Sequence, residues 1–187
     1  TIENQEVTMR IGLISDTHIP GGAMEVPEGV IRAFEGVELI LHAGNIYEPA
    51  ILDWLERIAP VKAAGSVDRD HQSWSDPRVA EKQVLELEGH TIGVVHDLIV
   101  PGWGGDVYPG TIAAYLSGIS LPLAMEKVFG RAVDIVIFGH SCRVTVEEHD
   151  GVLLINPGSP TLRNQLRVIG NVAIMELTTR RREVKSI

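Results

Sequence analysis

Four apolar runs in this chain stop in the same way. "MRIGLISDTHI", "VELILHAGN" and "VKAAGSVD" each carry a strand-length apolar run that ends at small residues and hands over to polar ones. "DIVIFGHSCRV", residues 134 to 144, does so again and delivers His140, Ser141 and Cys142 beyond Gly139. Runs this continuous suit strands buried on both faces. Between the first three, "PEGVIRAFEG" and "EPAILDWLERIAP" have apolar residues at helical spacing, with Glu48 and Pro49 suited to a helix start and Pro60 to a stop. Strands alternating with helices imply parallel β-α units with right-handed crossovers.

The second half reads differently. "KQVLELEGHTIGVVHD" is two strand-like runs joined at Glu88, Gly89 and His90, and "RVTVEEHDGVLLINPGS" repeats that hairpin pattern around Asp150 and Gly151. "GNVAIMEL" supplies a last strand. Between the hairpins, "IVPGWGGDVYPG" reads as a glycine-rich loop, and "TIAAYLSGISLPLAMEKVFG" as mostly helical with a break near Pro122. The pattern predicts a mixed α/β sandwich, two packed sheets flanked by helices. With 187 residues, 44% of them hydrophobic, the chain suffices for one substantial core. Residues 9–187 are read as a single domain, with Met9 as the native start and residues 1–8 as an extension.

A net charge of −9 argues against a nonspecific grip on nucleic acid, which needs many Lys and Arg on phosphates. No aromatic platform for stacking bases is visible. The cluster Arg180, Arg181, Arg182 reads as a solvated tail. No apolar stretch reaches the roughly 18 residues of a membrane span, and no signal peptide is visible at the start. Cys142 is the sole cysteine, so nothing calls for an oxidising compartment, and a cytoplasmic location is expected.

The polar residues at the strand ends are, in order, Asp16 and His18, Asn45, Ser66 and Asp68, His96 and Asp97, and His140 and Cys142. In α/β sheets, ligands bind at the carboxyl ends of strands, so these residues are expected to converge although they span the chain. Asp16 and His18 stand two apart and can offer a carboxylate oxygen and an imidazole nitrogen to one cation. Each residue also has a plainer explanation. An Asp-x-His can cap a turn, a glycine can serve only packing, and a lone cysteine is most often a small buried hydrophobe.

The ordered set "ISDTH", "LHAGN", "AAGSVD", "VVHD", "FGHSC" and "INPGSP" resembles the small-phosphodiesterase branch of the calcineurin-like metallophosphoesterases, over nearly the whole chain from Met9 onward. The resemblance implies a four-layer α-β-β-α sandwich of two mixed β-sheets flanked by helices, the metallo-dependent phosphatase fold, with two divalent metals at the strand ends. It implies that Asp16, His18 and Cys142 hold the first metal, that Asn45 takes the bridging position, and that Ser66, His96 and His140 face the second. Asp16, His18, His96 and His140 are then the catalytic set.

Three implied ligand positions depart from the family pattern: Asn45 replaces Asp, Ser66 replaces Asn and Cys142 replaces His. Asp97 also stands where glycine is usual. Two divalent ions ~3.5–4 Å apart repel, and an anionic bridge offsets part of that cost, which a neutral Asn45 cannot do. A Cys142 thiolate would restore a negative charge and favour zinc or iron over manganese; a protonated Cys142 would not. One or two ions per chain, Mn, Zn or Fe, are therefore expected, with the second site weak.

The function these features imply is a divergent phosphodiesterase that hydrolyses small-molecule phosphodiesters by metal-bound hydroxide. Val67 stands where some relatives carry a histidine, so diesters with good leaving groups are favoured. The alternative is a catalytically silent scaffold. Asn45 and the loop "IVPGWGGD" resemble the phosphoesterase-fold subunit of the eukaryotic retromer coat, and an exposed Trp103 would mark the surface for a protein partner. A homo-oligomer is left open.

Overall fold

The computed structural model describes residues 8–116, 118–161 and 170–187. Its elements run β1 Met9–Ile14, α1 Glu28–Ala33, β2 Leu39–Ala43, α2 Pro49–Glu56, β3 Val61–Ala64, β4 Val79–Ala80, β5 Lys82–Leu87, β6 His90–Val95, α3 Thr111–Tyr115, α4 Leu121–Phe129, β7 Ile135–Ile137, β8 Thr145–His149, β9 Val152–Asn156, β10 Ala173–Leu177 and β11 Arg182–Ser186. One sheet has the order β11-β10-β1-β2-β3-β4 and the other β5-β6-β7-β9-β8. In the first sheet β1, β2, β3 and the short β4 are parallel, with β10 and β11 added through antiparallel pairings on the β1 side; in the second β6, β7 and β9 are parallel, with β5 and β8 paired antiparallel at its two edges.

Three apolar clusters correspond to the three interfaces of a four-layer sandwich. Phe34, Leu52 and Leu55 from the α1 and α2 region pack against Ile14, Ile40 and Val61 on the outer face of the first sheet. Ile11, Leu13 and Leu41 meet Ile92, Ile135 and Ile155 between the sheets. Ile112, Leu121 and Met125 cover Val136, Phe138 and Leu154 outside the second sheet. The central strands are therefore apolar on both faces, which is why their sequences read as unbroken runs. The result is a mixed α/β architecture with two mixed sheets, as the four-layer sandwich expected from the sequence requires.

Both hairpins form as expected: Glu88 and Gly89, and Asp150 and Gly151, all have positive φ, as a two-residue primed turn requires. Helix α2 starts from Glu48 with Pro49 in its first turn and ends before Pro60. The break expected near Pro122 falls earlier, because Pro122 lies in the first turn of α4, where its missing N–H costs nothing.

Two expectations need correction. The arginine cluster is not simply a solvated tail: β11 runs from Arg182 along β10, and Arg182 binds Asp134, Glu148 and the Gly151 carbonyl. Trp103 is 9% exposed and belongs to the cluster beneath α3 and α4, so it is a core residue of its own loop.

Candidate metal centre

The parallel strands of both sheets deliver their following loops to one place. Asp16 and His18 follow β1, Asn45 follows β2, Ser66 follows β3, His96 and Asp97 follow β6, and His140 and Cys142 follow β7. Asp16, His18, Asn45, Tyr47, His140 and Cys142 all hold positive φ, between 47° and 67°. Non-glycine residues enter this region at a cost of about 1 kcal/mol or more each and cluster where the surroundings enforce it.

The enforcement is visible as hydrogen bonds between loops. Asp16 N donates to the Gly44 carbonyl at 2.8 Å and His18 N to the Asn45 carbonyl at 3.0 Å. Ser159 Oγ donates to the Asp16 carbonyl and Thr161 Oγ1 to the Thr17 carbonyl, each at 2.7 Å. Buried Asp70 accepts from the backbone N–H groups of Ile46, Tyr47 and Ser66, at 2.6, 3.1 and 3.0 Å. Its carboxylate ties the Asn45 loop to the Ser66 loop. Gly139 is required by close approach: a Cβ there would lie 2.5 Å from the Ala43 carbonyl oxygen and 2.9 Å from Asp16 Oδ2.

Buried His42 supports the same loops from below. Gly44 N donates to His42 Nδ1, which leaves Nε2 to carry the proton toward Thr17 Oγ1 at 3.2 Å. Thr17 in turn donates to the Asn45 carbonyl. Burial lowers the pKa of His42 to about 3, against a smaller upward pull from Asp70, so this ring stays neutral.

The functional side chains fall into two lobes. In the first, Asp16, His18 and Cys142 each bring a ligand atom within 4.8 Å of the others. Asn45 Nδ2 lies between two of them, donating to Asp16 Oδ1 at 2.9 Å and lying 3.0 Å from His18 Nε2. Asp16 Oδ2, His18 Nδ1 and Asn45 Oδ1 are buried without a hydrogen-bond partner. Such unpaired polar atoms in a carboxylate, imidazole and thiol set fit one borderline cation. The Cys142 thiol is pushed up to about 12, by burial first and then by the Asp16 charge, and its Sγ donates to the His140 carbonyl at 3.5 Å. A cation beside it would reverse that balance.

In the second lobe, His96, Asp97 and His140 converge in the same manner. His96 Nδ1 donates to the Ala43 carbonyl at 2.7 Å, so Nε2 presents its lone pair. That lone pair meets Arg69 Nη1 at 3.1 Å, and His140 Nδ1 lies 2.7 Å from the same nitrogen. Ser66 Oγ accepts from the Arg69 backbone N–H, while Asp68 is exposed on the same turn. Sequence reasoning missed Arg69 and Asp70. Their only signal is a position in the polar turn "SVDRD" after a buried strand.

A model of the calcineurin-like phosphoesterase superfamily domain matches residues 9–180. The chain belongs to the calcineurin-like phosphoesterase superfamily. It is 40% identical over 155 residues to a Methanothermobacter thermautotrophicus protein named "Probable metallophosphoesterase", covering 82% of this chain and 78% of that one. Among solved structures, vacuolar protein sorting 29 of Cryptosporidium parvum superposes with a TM-score of 0.68 at 21% identity, covering 96% of this chain and 97% of that one. A structure described as a novel archaeal phosphodiesterase superposes with a TM-score of 0.63 at 21% identity, over 96% and 99% of the two chains. At such identity these structures speak for the fold. Within it, the chain keeps one lobe suited to a cation and a second already met by a guanidinium. No helix among the described residues is long and apolar enough to cross a membrane.

Proposed function

We propose that the chain is a metal-dependent phosphodiesterase whose catalytic ion is held by Asp16, His18 and Cys142. The observation that carries this reading is the convergence of those three residues with Asp16 Oδ2 and His18 Nδ1 buried and unpaired. A divalent ion there, zinc or iron favoured by the thiol over manganese, supplies Lewis acidity toward water and a phosphoryl oxygen. Around it the chain's own residues define the rest of the site. Arg69, His96 and His140 form a wall of N–H donors and imidazoles, and the cleft beside them, lined by Arg69, Asp97, Asp106 and His140, is about 120 Å³.

In the reaction, water oxygen bonds to phosphorus and the P–O bond to one alcohol breaks. The products are a phosphomonoester and an alcohol that leaves with one of the water protons. Val67, 55% exposed, cannot supply that proton, so substrates with acidic alcohols are favoured. The test is hydrolysis of bis(p-nitrophenyl) phosphate by zinc- or manganese-loaded protein. Turnover should disappear with chelator and fall at least a hundredfold in Asp16→Asn; equal rates in the two proteins would refute the assignment.

The second reading is a catalytically silent scaffold, favoured by Asn45 in place of the bridging carboxylate. It now lacks its named surface, since Trp103 is buried, and its sign would be ion binding without hydrolysis.

A further inference from the structure

We infer that Arg69 is the resident cation of the second lobe, and that its guanidinium excludes a second divalent ion from this site. A second ion in this lobe would take the His96 Nε2 lone pair and a nitrogen of His140, and Arg69 Nη1 already stands between the two rings, 3.1 Å from His96 Nε2 and 2.7 Å from His140 Nδ1. For His96 the tautomer sets the direction. His96 Nδ1 carries its proton to the Ala43 carbonyl, and a guanidinium only donates, so both imidazoles act as acceptors toward Arg69. Asp97 Oδ1 lies 2.9 Å from His140 Nδ1, so a carboxylate stands beside the same ring nitrogen and adds to the attraction for the guanidinium.

Arg69 also accounts for the altered ligands. Ser66 Oγ is engaged by the Arg69 backbone N–H at 3.3 Å, within the turn that Asp70 anchors, and so serves to place the arginine. A single positive charge in the second lobe repels a neighbouring ion less than a divalent one does, and it is tethered to the chain. A bridging carboxylate is then unnecessary, and neutral Asn45 suffices. Asn45 and Arg69 thus form a matched pair. Among the described residues, Nε and Nη2 of Arg69 make no hydrogen bond, so the guanidinium keeps donors for an anion while holding both histidines.

The inference takes its first ion from the proposed catalytic site but is testable apart from it. Wild-type protein, Arg69→Met, and Arg69→Met combined with His140→Ala would be dialysed against the same free zinc concentration and their metal content measured. The wild type should hold one ion per chain, Arg69→Met two, and the double variant one again. Arg69→Lys, which keeps the charge, should stay at one and guards against misfolding of the methionine variant. Two ions in the wild type, no gain in Arg69→Met, or a second ion that persists without His140 would each overturn the inference. A wild type with no ion whose Arg69→Met variant gains one would uphold the role of Arg69 while removing the proposed catalytic site. One ion in the wild type and two in the variant, without hydrolysis by either, would remove only the phosphodiesterase reading.

Discussion

The Asn45 amide nitrogen donates to Asp16 Oδ1 at 2.9 Å, so this neutral side chain holds the neighbouring carboxylate by a hydrogen bond. A carboxylate in its place would meet Asp16 as a like charge. A half-turn of the amide exchanges the donor for Oδ1, an oxygen that hard ions accept. The same side chain can therefore satisfy Asp16 without an ion and face one when it binds.

Asn45→Asp should act in opposite directions on the two states. In chelator, loss of the hydrogen bond and the new repulsion should lower stability by on the order of 1–3 kcal/mol. With saturating zinc the added charge should strengthen ion binding at least tenfold. Urea midpoints with and without zinc read both effects, and an equal shift in the two conditions would show that residue 45 does not sense the ion.

Zinc affinity should rise with pH. The Cys142 thiol, pushed up to about 12, is protonated at neutral pH in the metal-free protein, and coordination requires it to lose that proton. One proton released corresponds to about a tenfold gain in affinity per pH unit. Competition against a chromophoric chelator between pH 6 and pH 8 would measure the slope, and Cys142→Ala should both weaken binding and flatten it. A slope unchanged by that substitution would return Cys142 to a packing role.

His42 should make the protein acid-sensitive. Its pKa is lowered from 6.5 to about 3 by burial, so below pH 6.5 the unfolded chain binds a proton that the folded chain refuses. The stability from keeping this ring neutral is complete above pH 6.5 and is lost as pH falls toward about 3. At about 1.4 kcal/mol per unit the loss is on the order of a few kcal/mol. Denaturant unfolding across this window should show the slope, and His42→Asn should reduce it.

Asp70→Ala should be among the most damaging single changes outside the lobes. It leaves the N–H groups of Ile46, Tyr47 and Ser66 without their acceptor, at a cost of about 3–5 kcal/mol. Zinc affinity should fall with stability, because the Asn45 loop loses its tie to the turn that carries Arg69. Asp70→Asn keeps an acceptor oxygen and should recover part of both. Normal zinc binding by a destabilised Asp70→Ala protein would separate the tie from the site.

The strand ends were legible in the sequence because central parallel strands are buried on both faces and stop where the polar residues begin. The hairpins at Glu88-Gly89 and Asp150-Gly151 were legible through turn chemistry. Strand β11 was not, since Val184 is its only apolar residue before Ile187 and the charges of an edge strand mimic a solvated tail. Trp103 was misjudged because a glycine-rich loop gives no periodicity to tell a buried aromatic from an exposed one. Strand-end placement brought Asp16, His18 and Cys142 to one region, and the family resemblance grouped them as one ligand set. Arg69 could not, because the contact that matters is made at the far end of a long side chain across 27 and 71 residues of sequence.

The left-handed residues around the first lobe bear on how fast an ion can come and go. Their conformations are held by bonds from Asp70, Ser159 and Thr161 to the backbone, so the loops keep their path independently of the cation. Exchange then requires side-chain rotation, chiefly of the Asn45 amide, and no loop refolding. Uptake should follow the rate of encounter with the free ion, and residence time should be set by the ligand bonds alone.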